Sequence, residues 1–425
     1  MAEAIINGLG QVNNLKVIAR SSSFQFKGKN ESLLAIGKLL NVATALEGSV
    51  TKSGKRIRVR ATLTKTEDGT QLWSETFDRD LNDYLLIQDE ITSKIVSALK
   101  ISFSGQLRPS QRLSTNEEAM KLYQKGRYFH DKNGDGDQKR AAAYFAKAVK
   151  ADSNFAMAWA YLGTTSDEEV SKFEKYTQKA LELDPNLADA LLGAAGVAWS
   201  NFNFAKGESD MRKALSLDKE NPRILRNTGR VLGYLGYYDE GLELCKKAVE
   251  IDPLQAWSYL ALTHAWTVNG KFADALLTWQ KENEISNRNG LSTRAHLLVL
   301  NEQPKEALVL IDKIHDEEDK LFLLTAISFS LDLKDKSEEY FQKFKSTYGA
   351  SNPHAVGELL CFFGRKKEAI LMLENVKLTP ILHWPPPDQW FRFWLLFRGS
   401  PYLIPLRDDP KFKEICKKLG YPDLR

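Results

Sequence analysis

Two short patterns in this chain of 425 residues carry side chains that could do chemistry. In Asp131-Lys132-Asn133-Gly134-Asp135-Gly136-Asp137 the oxygen donors Asp131, Asn133, Asp135 and Asp137 fall at positions 1, 3, 5 and 7 of a calcium loop, with glycine at position 6. Position 12 is Ala142, where such a loop needs a bidentate glutamate, so a metal site here is weak at best. A solvated connector rich in turn formers accounts for the same residues. The second pattern is Arg223, Arg226 and Arg230, spaced i, i+3 and i+7, which puts three guanidiniums on one helical face. Such a row suits a free carboxylate or acidic side chains of a bound peptide, and His264 and His296 in the segments that follow extend the strip of donors. The competing expectation is a plain solvated face.

Enzymatic signatures are missing. There is no G-x-x-x-x-G-K-[ST] loop, no H-E-x-x-H and no G-x-S-x-G, and the six histidines are scattered. Cys245, Cys361 and Cys416 lie far apart without a C-x-x-C pair, so they suit buried thiols rather than a metal site or a disulfide framework. No cofactor is expected. With 43% hydrophobic and 27% charged residues the chain has the composition of a folded protein. No run of about 18 apolar residues and no export signal stands in it, so a cytoplasmic location is expected, with the periplasm as the alternative for a membrane-anchored parent.

The net charge of +4 sits at the front, where residues 1–115 hold 16 basic and 11 acidic side chains. Residues 1–104 mix strand and helix signals and are expected to form an α+β domain. Helices are expected at Ala2 to Leu9, Ser32 to Leu40 and Leu85 to Leu99, a short buried strand at Leu15 to Ala19, and an antiparallel meander at Leu46 to Thr51, Arg56 to Thr64 and Leu72 to Phe77. In the middle strand Ile57, Val59, Ala61 and Leu63 alternate with Arg56, Arg58, Arg60 and Thr62, giving one core face and one wet face. Phosphate could bind the arginine stripe. Nucleic acid fits poorly, because no aromatics interleave and Glu47 or Glu75 could pair with the arginines.

Residues 105–116 read as a linker, and residues 117–376 as helix after helix. Ala-[Leu/Val]-x-x-Asp recurs at Ala148, Ala180, Ala214 and Ala248, at spacings of 32, 34 and 34. Pro185, Pro222 and Pro253 follow shortly after three of these segments. Trp159, Leu162 and Gly163, then Leu225, Gly229 and Leu232, fit first helices, with Gly236 in a turn. These features resemble the tetratricopeptide repeat, which implies an all-α superhelix of about seven or eight helix pairs with a concave groove that holds a peptide or partner protein. Residues 377–425, with three Trp and three Pro between His383 and Trp394, are expected to cap its end.

Leu15-Lys16-Val17-Ile18-Ala19-Arg20-Ser21-Ser22-Ser23-Phe24, Leu46-Glu47-Gly48-Ser49-Val50, Leu72-Trp73-Ser74-Glu75 and Gln88-Asp89-Glu90-Ile91 resemble the TolB-like domain that precedes tetratricopeptide repeats in bacterial class III adenylate or guanylate cyclases and some transcriptional regulators. Pro405 to Phe412 is similar to the way those proteins end. The resemblance implies a non-enzymatic interaction module in bacterial signalling or, alternatively, the regulatory arm of a cyclase or transcription regulator whose output domain lies outside this chain. It also implies an opening strand that this sequence lacks, leaving a sheet edge that a second copy could pair with to form a homodimer.

Overall fold

A computed structural model describes residues 2–10, 12, 15–80, 84–99, 114, 116–132, 136–165, 170–286, 290–377 and 397–423. They fall into two compact units. The first is Met1–Leu113 with the short stretches Glu220–Pro222 and Val249–Gln255, and the second is the remainder.

In the first unit α1 (Ala2–Leu9), α2 (Arg20–Ser23) and α3 (Leu33–Leu40) precede β1 (Thr44–Ser53), β2 (Arg56–Lys65), β3 (Gln71–Asp80) and α4 (Tyr84–Ala98). Ser32 caps α3 by accepting from the Ala35 amide at 3.2 Å. The strands form one antiparallel sheet in the order β1-β2-β3, with Val50 opposite Val59 and Val59 opposite Phe77. Gly54 closes the first hairpin at φ 56°, a left-handed conformation that a side chain would penalise. The expected alternation holds: Ile57, Val59, Ala61 and Leu63 are buried, and Ile87, Ile91 and Ile95 of α4 cover them together with Phe77, Ile5 and Leu9. Leu15 to Ala19 is not a strand. Its apolar run finds no neighbour in the three-strand sheet, so Ile18 and Ala19 are buried from an irregular segment instead.

The second unit stacks eight helix pairs among the described residues. They are α5 (Glu117–Lys132) with α6 (Asp137–Ala151), α7 (Ala156–Thr165) with α8 (Val170–Leu183), α9 (Ala188–Ser200) with α10 (Phe204–Leu217), and α11 (Pro222–Leu235) with α12 (Tyr238–Ile251). Then come α13 (Ala256–Val268) with α14 (Phe272–Ser286), α15 (Leu291–Leu300) with α16 (Pro304–Leu308), α17 (Glu317–Ser330) with α18 (Lys334–Tyr348), and α19 (Pro353–Phe362) with α20 (Lys366–Leu373). The recurring alanines Ala148, Ala180, Ala214 and Ala248 lie in the last turn of the second helices and are fully buried. In the pair α11/α12 contact is closer still. A Cβ on Gly229 would stand 2.6 Å from the Gly241 carbonyl oxygen, and one on Gly241 would stand 2.4 Å from that of Gly229, so both positions need glycine.

A last segment follows: 3-10 turns at Phe397–Gly399 and Pro401–Leu406, then α21 (Pro410–Lys418), started by Asp409 accepting from the Lys411 amide at 2.9 Å. Its buried Tyr402, Leu403, Leu406, Phe412 and Ile415 belong to the same hydrophobic cluster as the first helices from α9 to α19.

Candidate functional site

First helices of the second unit carry a cluster of charged and aromatic side chains. Arg127, His130 and Asp131 come from α5, Tyr161 and Thr164 from α7, Asp189 from α9, and Arg223, Asn227 and Arg230 from α11. The Tyr161 ring is the centre: the Arg223 guanidinium lies 4.5 Å from its centroid and that of Arg127 4.6 Å, both within cation–π range. His130 meets the same ring edge-on at 5.2 Å. Arg223 donates to the Asp189 carboxylate and, at 2.7 Å, to the Thr164 hydroxyl. Arg127 donates to the Tyr123 hydroxyl at 3.0 Å and lies 3.9 Å from Asp131. Arg230 donates to Asn227 at 3.2 Å, and Asn227 to the Arg223 carbonyl at 2.8 Å. Burial pushes the Tyr161 hydroxyl up to about 12. It also pushes His130 down to about 4 against the opposing hydrogen bond with Asp131, so the imidazole is neutral near pH 7.

The expected strip of Arg223, Arg226, Arg230, His264 and His296 does not form one open row. Arg223 and Arg226 are each only 8% exposed, since a first helix is covered by its own partner and by both neighbouring pairs. His264 is buried, its Nδ1 2.6 Å from the Tyr234 hydroxyl, and burial with Arg230 nearby pushes it down to about 3. His296 is fully buried between two partners: Nε2 stands 2.8 Å from Asp319 and Nδ1 2.7 Å from the Tyr402 hydroxyl. The carboxylate only accepts, so a proton is assigned to Nε2. A histidine held internally between two partners offers nothing to a peptide carboxylate.

Tyr402 belongs to the C-terminal segment, which sequence reasoning placed at the end of the solenoid. Residues 397–423 instead run along the face made by the first helices. Arg398 donates to the Leu235 carbonyl at 3.4 Å and the Pro422 carbonyl at 2.8 Å, and its own carbonyl accepts from Tyr238 at 3.0 Å. Ser400 donates to Glu358 at 2.5 Å. Arg407 donates to the Val268 carbonyl at 2.6 Å and lies 4.1 Å from the Tyr238 ring centroid. Tyr421 packs on Phe204 at 4.5 Å. One short segment thus touches residues from Phe204 in α10 to Phe362 in α19. The apolar spacing of Leu403, Leu406, Phe412 and Ile415 signalled that this stretch packs somewhere, though not where.

Of the calcium candidates, Asn133 and Asp135 lie outside the described residues, as does the segment His383 to Trp394. Asp131 stands 3.2 Å from His130, and Asp137 is buried between Arg140 at 3.1 Å and Lys132 at 3.7 Å. Among the described residues no group of three or more His, Cys, Asp or Glu side chains could hold a metal ion. In the first unit Asp78 takes up the arginine stripe: Arg58 reaches one of its carboxylate oxygens and Arg56 the other, each at 2.6 Å, and the two hold its pKa below the usual range. The pairing expected with Glu47 or Glu75 is therefore made by Asp78. Burial raises Cys245 and Cys361 to about 12 and Cys416 to about 11, which leaves them poor nucleophiles. Among the described residues no helix is long and apolar enough to cross a membrane.

No family model matches the chain. It is 38% identical over 129 residues to a Rhizobium meliloti protein that carries the name adenylate cyclase 3, a match covering 30% of this chain and 22% of that one. It is 28% identical over 102 residues to small glutamine-rich tetratricopeptide repeat-containing protein 2 of Mycosarcoma maydis, covering 24% of this chain and 29% of that one. The chain thus spans less than a third of the length of either relative. Solved structures with a similar course include Pseudomonas aeruginosa PilF (20% identity, 50% of this chain and 96% of that one, TM-score 0.37) and a tetratricopeptide repeat protein of Parabacteroides merdae (18%, 58% and 99%, TM-score 0.37). At these scores the likeness carries no functional argument.

Proposed function

We propose that the chain is a non-enzymatic protein-interaction module whose first-helix face between α5 and α11 binds an acidic segment of a partner protein or its free carboxylate. The observation that carries this reading is the convergence of Arg127 from α5 and Arg223 from α11 on the Tyr161 ring of α7, with Arg230 two turns along α11 from Arg223. Rigid helices hold these donors, so docking a peptide costs little ordering on the protein side. Guanidinium pairs with carboxylate in a geometry that lysine does not match.

Calorimetry with a synthetic acidic peptide ending in a free carboxylate, and with its amidated form, tests the reading. Binding of the first is expected to weaken steeply with salt and to fall at least about tenfold in the Arg226→Gln/Arg230→Gln protein. Equal binding of both peptides to both proteins would place the site elsewhere.

A second reading is supported by the 38% match to part of an adenylate cyclase relative: the chain would be the regulatory arm of a signalling protein whose output domain lies outside these residues. The size of the native protein, probed with an antibody to the repeats, separates the two. A band near 48 kDa favours the free-standing module, and a clearly larger one the arm. Cyclic nucleotide formed from ATP by this chain alone would refute both.

A further inference from the structure

The two edge strands of the sheet are built differently. On β3, four of ten residues are charged, Glu75, Asp78, Arg79 and Asp80, and two of them pair across to α4: Arg79 with Glu90 at 3.9 Å and Glu75 with Lys94 at 3.5 Å. Charge and an overlying helix are the usual means of blunting an edge. On β1 only Glu47 and Lys52 are charged, and every residue from Glu47 to Ser53 is exposed. The register puts Leu46, Gly48 and Val50 opposite Leu63, Ala61 and Val59, on the face that forms the core under β2. Yet Leu46 is 37% and Val50 56% exposed. An apolar strip beside an open row of backbone donors and acceptors is thus left uncovered among the described residues.

We propose that β1 pairs antiparallel with β1 of a second copy of this chain, joining two three-stranded sheets into one of six strands. The strand's own sequence selects the register. With Gly48 opposite Gly48 of the second copy, Leu46 faces Val50 twice over, Glu47 faces Ser49, and Lys52 faces Thr44. No like charges meet. Shifting by one step in one direction sets Glu47 against Glu47, and in the other sets Leu46 against Lys52, so each neighbouring register on the same face loses the apolar pairs. The glycine at the dyad is fixed by the chain itself, since a Cβ there would stand 2.4 Å from the Arg60 carbonyl oxygen. The interface is closed and two-fold, so it yields dimers rather than fibres.

Light scattering on the eluting full chain is expected to give about twice the 48.1 kDa chain mass, and Val50→Lys, which adds a charge at an exposed position, to return it to the monomer with an unchanged circular dichroism spectrum. Register is read by mixing Leu46→Cys with Val50→Cys under mild oxidation. A covalent dimer forms in the mixture and not in either protein alone, while Cys245, Cys361 and Cys416 are buried and stay out of the reaction. A monomer at every concentration, a dimer that Val50→Lys leaves intact, or cross-linking of Leu46→Cys with itself would each overturn the proposal.

Discussion

The face made by the first helices is one surface of one solenoid, yet its two ends are held by different chemistry. Between α5 and α11 it is a lattice of charges around Tyr161, with Arg223 bound to Asp189 and Arg127 beside Asp131. Between α13 and α19 it is covered by the chain's own residues 397–423, and its polar contacts there include a histidine, a serine and a tyrosine. The difference teaches that a cationic row read along successive repeats can be cut in the middle. His264 and His296 continue Arg223, Arg226 and Arg230 in sequence order but sit inside the core, and one of them is occupied by Tyr402.

The strongest way to break this contrast is to strip the cover. Leu403 and Leu406 are fully buried, so Leu403→Ala and Leu406→Ala should each cost about 2–5 kcal/mol, and the double variant should free the C-terminal segment for proteolysis while α5 to α12 keep their helicity. If cleavage in the double variant is no faster than in the parent, apolar burial does not hold the segment. Next in size is Asp189→Ala at the other end. It strands a buried guanidinium, and urea unfolding should record a loss of about 3–5 kcal/mol; Asp189→Ala with Arg223→Met should recover much of it.

Local pattern made part of this legible. Alternation in β2 identified the core face of the sheet residue by residue, and the spacing of Ala148, Ala180, Ala214 and Ala248 identified the repeat, because both are set by contacts close in sequence or by a fixed period. What failed was exposure. An i, i+3, i+7 row on an ordinary surface helix is solvated, but a first helix packed on three sides buries Arg223 and Arg226, and a single sequence does not say which face is which. The partnership of His296 with Tyr402, 106 residues apart, leaves no periodic trace at all.

A smaller effect sharpens the comparison through pH. His130 in the charged lattice and His264 at the junction are pushed by burial to about 4 and about 3, while an unfolded histidine titrates near 6.5. Between pH 6.5 and 5 the unfolded chain therefore binds protons that the folded one refuses, and stability falls as pH falls, by about 1.4 kcal/mol per pH unit for each histidine that stays neutral. The slope of unfolding free energy against pH should fall by up to about 1.4 kcal/mol per pH unit in His130→Gln or His264→Gln, and by about twice that in the double variant. A slope unchanged in both would mean the two imidazoles are hydrated in solution.

The mildest test addresses the covered end alone. Tyr402→Phe keeps the ring against Phe322, at 5.1 Å between centroids, and removes only the hydroxyl that stands 2.7 Å from His296 Nδ1. Asp319 still fixes the other nitrogen, and the Ser292 hydroxyl at 2.5 Å holds Asp319 in place, so the imidazole keeps its orientation and loses one hydrogen-bond partner. The expected loss is about 1–2 kcal/mol by urea unfolding. A loss as large as that of Leu403→Ala would mean the hydroxyl, rather than the apolar side chains, seats the segment. In that case the two ends of the face would both be governed by polar pairing, and the contrast between them would reduce to whether the pair is charged.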